Sequence, residues 1–114
     1  MNIQEILAEE RVYRNVPGIF PDGPIGFTFH YDDERRIERN IPVDKILDLC
    51  RRAYRQYPRD ILYLHDESFV IEDAENFRVA VIKTEIAPNK YKYLIPTARY
   101  DLRIGPRETV FRVE

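Results

Sequence analysis

The apolar positions of this chain change period partway along it. Val43, Ile46, Leu47, Cys50, Ala53, Tyr54 and Tyr57 recur at helical spacing and share one face of an α-helix. Asn40 is a suitable N-cap, Pro42 suits the first turn, and Pro58 closes the segment. Asp44 and Asp48 come early and Arg51, Arg52 and Arg55 late, as the helix dipole favours. A shorter apolar face of Ile3, Ile6 and Leu7 follows Asn2 and Glu5, which are spaced like a capping box. It predicts a helix over 3–10.

Elsewhere the period is two. Phe27–Tyr31 reads as a strand, and so do Ile61–Asp66, Phe69–Glu72, Phe77–Ile86, Tyr91–Ile104 and Thr109–Val113. The short turns between the later strands favour antiparallel neighbours. Val79–Ile82 is continuously apolar, as in a strand covered on both faces. Pro96 predicts a bulge, bend or edge in its strand. The stretch from Val16 to Pro24 holds Pro17, Gly18, Pro21 and Gly23 and reads as an irregular loop. Ile19 and Phe20 in that loop either tuck under the core or face a partner. The expected fold class is α+β: a short N-terminal helix, one strand, and one main amphipathic helix packed on a curved C-terminal antiparallel β-meander. All 114 residues are expected to form a single domain.

Composition adds exclusions. Hydrophobic residues at 44% and charged residues at 33% suit a packed core under a charged surface and argue against global disorder. A net charge of -2 argues against a generic nucleic-acid binder. Cys50 is alone, so no intrachain disulfide and no CxxC site is expected. The start lacks the basic and apolar regions of a secretory signal, and no apolar run is long enough to cross a bilayer. A cytoplasmic location without a membrane partner is the expectation.

Two groups of residues carry candidate chemistry. His30 precedes Tyr31-Asp32-Asp33-Glu34, and His65 precedes Asp66-Glu67. Histidine with carboxylates suits a metal or acid–base chemistry. Neither spacing matches a metal or catalytic signature, so acidic turns after strands are the simpler account. The second group is basic. Arg51, Arg52, Arg55 and Arg59 follow a helix flank, while Arg99, Arg103 and Arg107 form a possible stripe on the outward sheet face. Tyr91 and Tyr93 lie close by in sequence. Arg beside Tyr suits a protein hot spot or a stacked single-stranded nucleic acid. A solvated face with ion pairs to Asp44, Asp48 and Asp101 is the plain alternative.

There is no GxGxxG, GxxxxGK[ST] or GxSxG motif, and Ser68 is the only serine. No cofactor and no metal is expected, and Cys50 reads as a small core residue. The leading expectation is a non-enzymatic interaction domain: a subunit, adaptor or inhibitor that binds a protein partner through Ile19, Phe20, Arg51, Arg52, Arg55, Arg99 and Arg103. The alternative is a small RNA- or nucleotide-directed hydrolase. It would draw on His30, His65, Arg99 and Arg103, with His65 as base and an Arg steadying phosphate charge.

Overall fold

The strongest helical periodicity in the sequence becomes the main helix of the computed structural model, which describes residues 12–28, 43–64 and 67–114. Helix α1 spans Val43–Gln56 and buries Val43, Ile46, Leu47, Leu49, Cys50 and Ala53. Among the described residues, no helix is long and apolar enough to cross a membrane. The helix expected over 3–10, the caps Asn40 and Pro42, and the end of the strand expected over Phe27–Tyr31 lie outside the described residues.

Strands β1 (Val12–Phe20), β2 (Gly23–Thr28), β3 (Glu67–Glu72), β4 (Phe77–Ala87), β5 (Lys90–Tyr100) and β6 (Thr109–Arg112) form one sheet of order β1-β2-β5-β4-β3-β6. β3, β4 and β5 pair antiparallel in succession through tight turns. The sheet as a whole is mixed rather than antiparallel, because β2 runs parallel to β5 and β6 runs parallel to β3. Both parallel pairs join segments distant in sequence, so no turn pattern announces them.

Three local expectations are corrected. The stretch expected to be a loop is the β1–β2 hairpin. Its register slips between Val16 and Phe20, so Pro17 and Gly18 lie in an irregularity, with Gly18 at φ +90°. Pro21 and Asp22 make the turn, and Pro24 precedes Ile25, where pairing with β5 begins. Prolines therefore fall where a missing N–H costs least. Second, the start of the strand expected over Ile61–Asp66 is instead the end of a short helix, α2 (Pro58–Leu62), and residues 65 and 66 lie outside the described residues. Pro58 both ends α1 and supplies a preset φ at the start of α2, and Tyr63 N–H donates back to Arg59 O at 3.0 Å. Third, β5 stops at Tyr100 rather than Ile104. Asp101 turns to φ 54°, and its N–H donates to Asn76 O at 2.9 Å. Pro96 does mark a bulge. Ala80 pairs with Thr97 and Ile82 with Leu94, so β5 carries one residue more than β4 there.

The core lies between α1 and one sheet face. Phe20 stacks on Tyr93 at 4.1 Å and meets Tyr54 edge-on at 6.1 Å. Phe69 joins Tyr93 to Phe111, and Phe111 meets Tyr57 at 5.1 Å. These rings link α1, β1, β5, β3 and β6 to Tyr57, which stands between α1 and α2. Each such ring pair adds about 0.5–1.5 kcal/mol beyond the apolar area it buries. Ile19 and Phe20 belong to this core at 8% and 2% exposure, so they are not surface groups awaiting a partner. Burial of a large apolar side chain yields about 1.5–3 kcal/mol, which holds them inside once the hairpin forms.

Candidate functional site

His30 and His65, with Asp66 and the acids at 32–34, lie outside the described residues. Among the described residues, no group of His, Cys, Asp and Glu is arranged to hold a metal. Arg99 and Tyr100 are consecutive in β5 and so project to opposite sheet faces. Tyr100 accepts a hydrogen bond from Lys45 Nζ on α1, whereas Arg99 stands on the face away from the helices. Arg103 and Arg107 lie beyond β5 in an exposed connection. The expected stripe of Arg99, Arg103 and Arg107 is therefore not a single strand face. Tyr91 and Tyr93 are buried at 7% and 0%, so they offer no stacking surface beside these arginines.

The helix arginines form a separate surface. Arg52 Nε donates to Asp48 at 3.1 Å. Arg51, Arg55 and Arg59 are exposed along α1 and at the start of α2. This flank and Arg99 occupy opposite sides of the sheet.

Two charged clusters were not anticipated. The first is buried. Lys83 is 0% exposed, at the position that continues the inward parity of Phe77, Val79 and Val81. Its Nζ pairs with Asp22 Oδ2 at 2.8 Å and donates to Ile61 O at 3.0 Å and Leu62 O at 3.1 Å. That accounts for all three ammonium donors. The rings of Tyr91 and Tyr93 lie 4.4 and 5.4 Å from it. Tyr93 donates its hydroxyl to the other Asp22 oxygen at 2.7 Å. Burial, and then Asp22, push the Tyr93 pKa upward, so the phenol keeps the proton it donates. With every donor engaged, the cluster ties the hairpin turn to the end of α2 and to the sheet. Its signal in the sequence was one lysine in an apolar parity.

The second cluster crosses the sheet face away from α1. Arg99 pairs in register with Arg78, Arg78 with Glu72, and Glu72 with Arg112. Glu72 is buried. It accepts from Arg78 Nε at 2.5 Å and from Arg112 Nε at 2.9 Å. The hydrogen bond from Arg78 leads in holding the Glu72 carboxyl below its ordinary pKa, against the opposing effect of burial, with Arg112 adding to it. Strand register, invisible in a single sequence, creates this row.

An open cleft of about 370 Å³ lies between α1 and the β3–β4 turn, lined in part by Lys45, Asp48, Arg52, Asp73, Glu75 and Glu114. Lys45 sits 4.9 Å from the Phe77 ring and 4.7 Å from the Tyr100 ring. Asp73 Oδ1 accepts the backbone N–H groups of Glu75 and Phe77, so it shapes the turn. Cys50 is fully buried, and burial pushes its thiol pKa up to about 12. No protein-family model, curated protein or solved structure matches this chain.

Proposed function

We propose that this chain is a non-enzymatic interaction domain that binds a protein partner within the cell. One observation carries the reading. Among the described residues, the buried charges Lys83 and Glu72 are engaged by internal partners, while Arg51, Arg55, Arg99 and Arg103 stand exposed on separate surfaces. Catalysis needs acid, base and charge-stabilising groups converging on one reacting atom. Recognition needs only exposed, preorganised groups beside apolar surface. Arg99 and Arg103 fit the second requirement better than the first.

The test is recovery of the tagged chain from its own cells. The expected result is a complex of fixed stoichiometry that survives ribonuclease treatment. A chain that travels alone, and that cleaves labelled RNA until His30→Ala and His65→Ala are combined, overturns the reading in favour of the hydrolase.

A further inference from the structure

We infer that the C-terminal half of the exposed stripe of α1, with Arg51 and Arg55 at its centre and Arg59 and Tyr63 beyond it, takes an acidic segment of a protein partner. The inference rests on the interaction reading above and specifies its surface and its partner's chemistry. At about 100° per residue, Asp44, Asp48, Arg51 and Arg55 fall within about 60° of one another around the helix. They lie opposite the buried stripe of Val43, Ile46, Cys50 and Ala53, and all of them are exposed. The stripe is acidic at its start and basic at its end. Its acidic half has an internal partner, since Asp48 accepts from Arg52 Nε at 3.1 Å. The side chains of Arg51, Arg55 and Arg59 are exposed and make no hydrogen bond or ion pair among the described residues.

The helix itself does not call for this surplus of positive charge. Its macrodipole favours cations in the last turn, where Arg55 stands, but Arg51 lies before that turn. Like charges three or four residues apart on a helix repel, and Arg55 follows both Arg51 and Arg52 at those spacings. Asp60 comes directly after Arg59, a spacing at which side chains do not face each other. The guanidinium groups are therefore left for external carboxylates, which their forks bind bidentately. Arg51 and Arg55 stand a turn apart, about 6 Å along the axis. Carboxylates one helical turn apart on the partner match that step. Asp44 and Asp48 repel acids at the other end of the stripe, which confines such a segment to the basic half. Beyond the bend at Tyr57, Tyr63 N–H donates to Arg59 O at 3.0 Å, so these two also stand a turn apart. Tyr63 is 75% exposed and supplies an aromatic contact beside the charges, a pairing that protein interfaces favour. A nucleic acid would call for a succession of aromatic platforms. Tyr54 is half-buried against Phe20, and Tyr57 donates its hydroxyl to Arg112 O, so Tyr63 stands alone in that role among the described residues of this flank. A net charge of -2 also opposes a polyanion, so the flank suits an acidic polypeptide.

The test titrates the full chain into a fluorescein-labelled peptide of about thirteen residues, with Glu at every fourth position and Ala between. It is read by anisotropy at about 25 mM salt. Binding is expected to fall about fivefold in the Arg51→Ala, Arg55→Ala double variant and about threefold in Tyr63→Ala. Arg51, Arg55 and Tyr63 are exposed, and Ala is a better helix former than Arg, so folding of these variants is not at issue. Binding is also expected to weaken as salt rises. It should be unchanged in a Lys90→Ala, Arg107→Ala control, which removes the same charge from exposed positions elsewhere. Absence of binding, equal binding of a peptide with Gln in place of Glu, or full binding by the double variant or by Tyr63→Ala overturns the flank. Tighter binding of oligouridylate, lost in the same double variant, overturns it in favour of nucleic acid. Self-association of the chain without peptide, lost in that double variant, overturns it in favour of a second copy, whose Asp44 and Asp48 would meet these arginines. If the flank fails while the chain still travels in its ribonuclease-resistant complex, the interaction reading stands without it. If the chain also travels alone, both fall.

Discussion

A single side chain, Lys83, shows how one buried charge is tolerated. Desolvating an ammonium costs several kcal/mol unless good geometry and further hydrogen bonds compensate. Here Asp22, two carbonyls at the end of α2 and two tyrosine rings surround it. Removing one member of a buried pair typically costs about 3–5 kcal/mol. The Asp22 side chain is 18% exposed, so water reclaims part of that loss. Lys83→Met is expected to destabilise the fold by about 2–3 kcal/mol, and Asp22→Asn by about 1–2 kcal/mol. The double variant should lose less than the two losses combined, because neither lone charge is then stranded. Urea unfolding of the four proteins measures this coupling, and strict additivity would show that the pair does not act as a unit. The sequence holds only a faint trace of this cluster. Lys83 shares the parity of Phe77, Val79 and Val81, but its partner lies in a turn 61 residues earlier (83 minus 22). No local pattern connects them.

At the scale of elements, legibility followed how local the determinants were. Helix α1 could be read because its apolar stripe, its terminal charges and its closing proline all agree. Helix α2 could not, because five residues around Ile61 and Leu62 fit a strand equally well. The β1–β2 hairpin was hidden by its own punctuation. Pro and Gly there serve an irregularity and a turn inside paired strands. Gly23 shows the turn's constraint. A Cβ placed there would lie 1.8 Å from the Tyr91 carbonyl oxygen and 2.5 Å from its carbon, neither of which can swing aside. Tyr91 N–H also donates to Asp22 O at 3.1 Å, which fixes the approach. Gly23→Ala is expected to cost at least about 2 kcal/mol through this overlap. Gly18→Ala meets no atom within 4 Å and is strained only by its φ of +90°, so about 1–2 kcal/mol is expected. Thermal unfolding of both variants separates the mechanisms. A Gly23→Ala protein as stable as wild type would mean the turn does not press against β5.

At the scale of the molecule, the two parallel pairings bring distant segments side by side, and Glu72 stands at one of these junctions. It lies on β3, bonds Arg78 on β4, and bonds Arg112 on β6, which reaches β3 only through parallel pairing. The antiparallel run β3–β4–β5 was legible from its short turns; the pairing that places Arg112 beside Glu72 was not. Nor was the row from Arg99 to Arg112, since register arises from the whole sheet rather than from any one strand. The arrangement carries a consequence for acid stability. Bonding to Arg78, then Arg112, holds the folded-state pKa of Glu72 below the ordinary 4.5, so the unfolded chain binds this proton more tightly. The contribution is thus complete above pH 4.5 and is lost as pH falls through the depressed folded value. Glu72→Gln keeps the shape and removes the charge. It is expected to be about 1–3 kcal/mol less stable than wild type at neutral pH, the range for hydrogen bonds to charged groups. The gap should narrow as the pH drops, because wild type then loses the same charge. Urea unfolding of both proteins from neutral pH to below the ordinary carboxylate range measures the gap directly. A constant gap would mean that Glu72 holds β3, β4 and β6 together by shape rather than by charge.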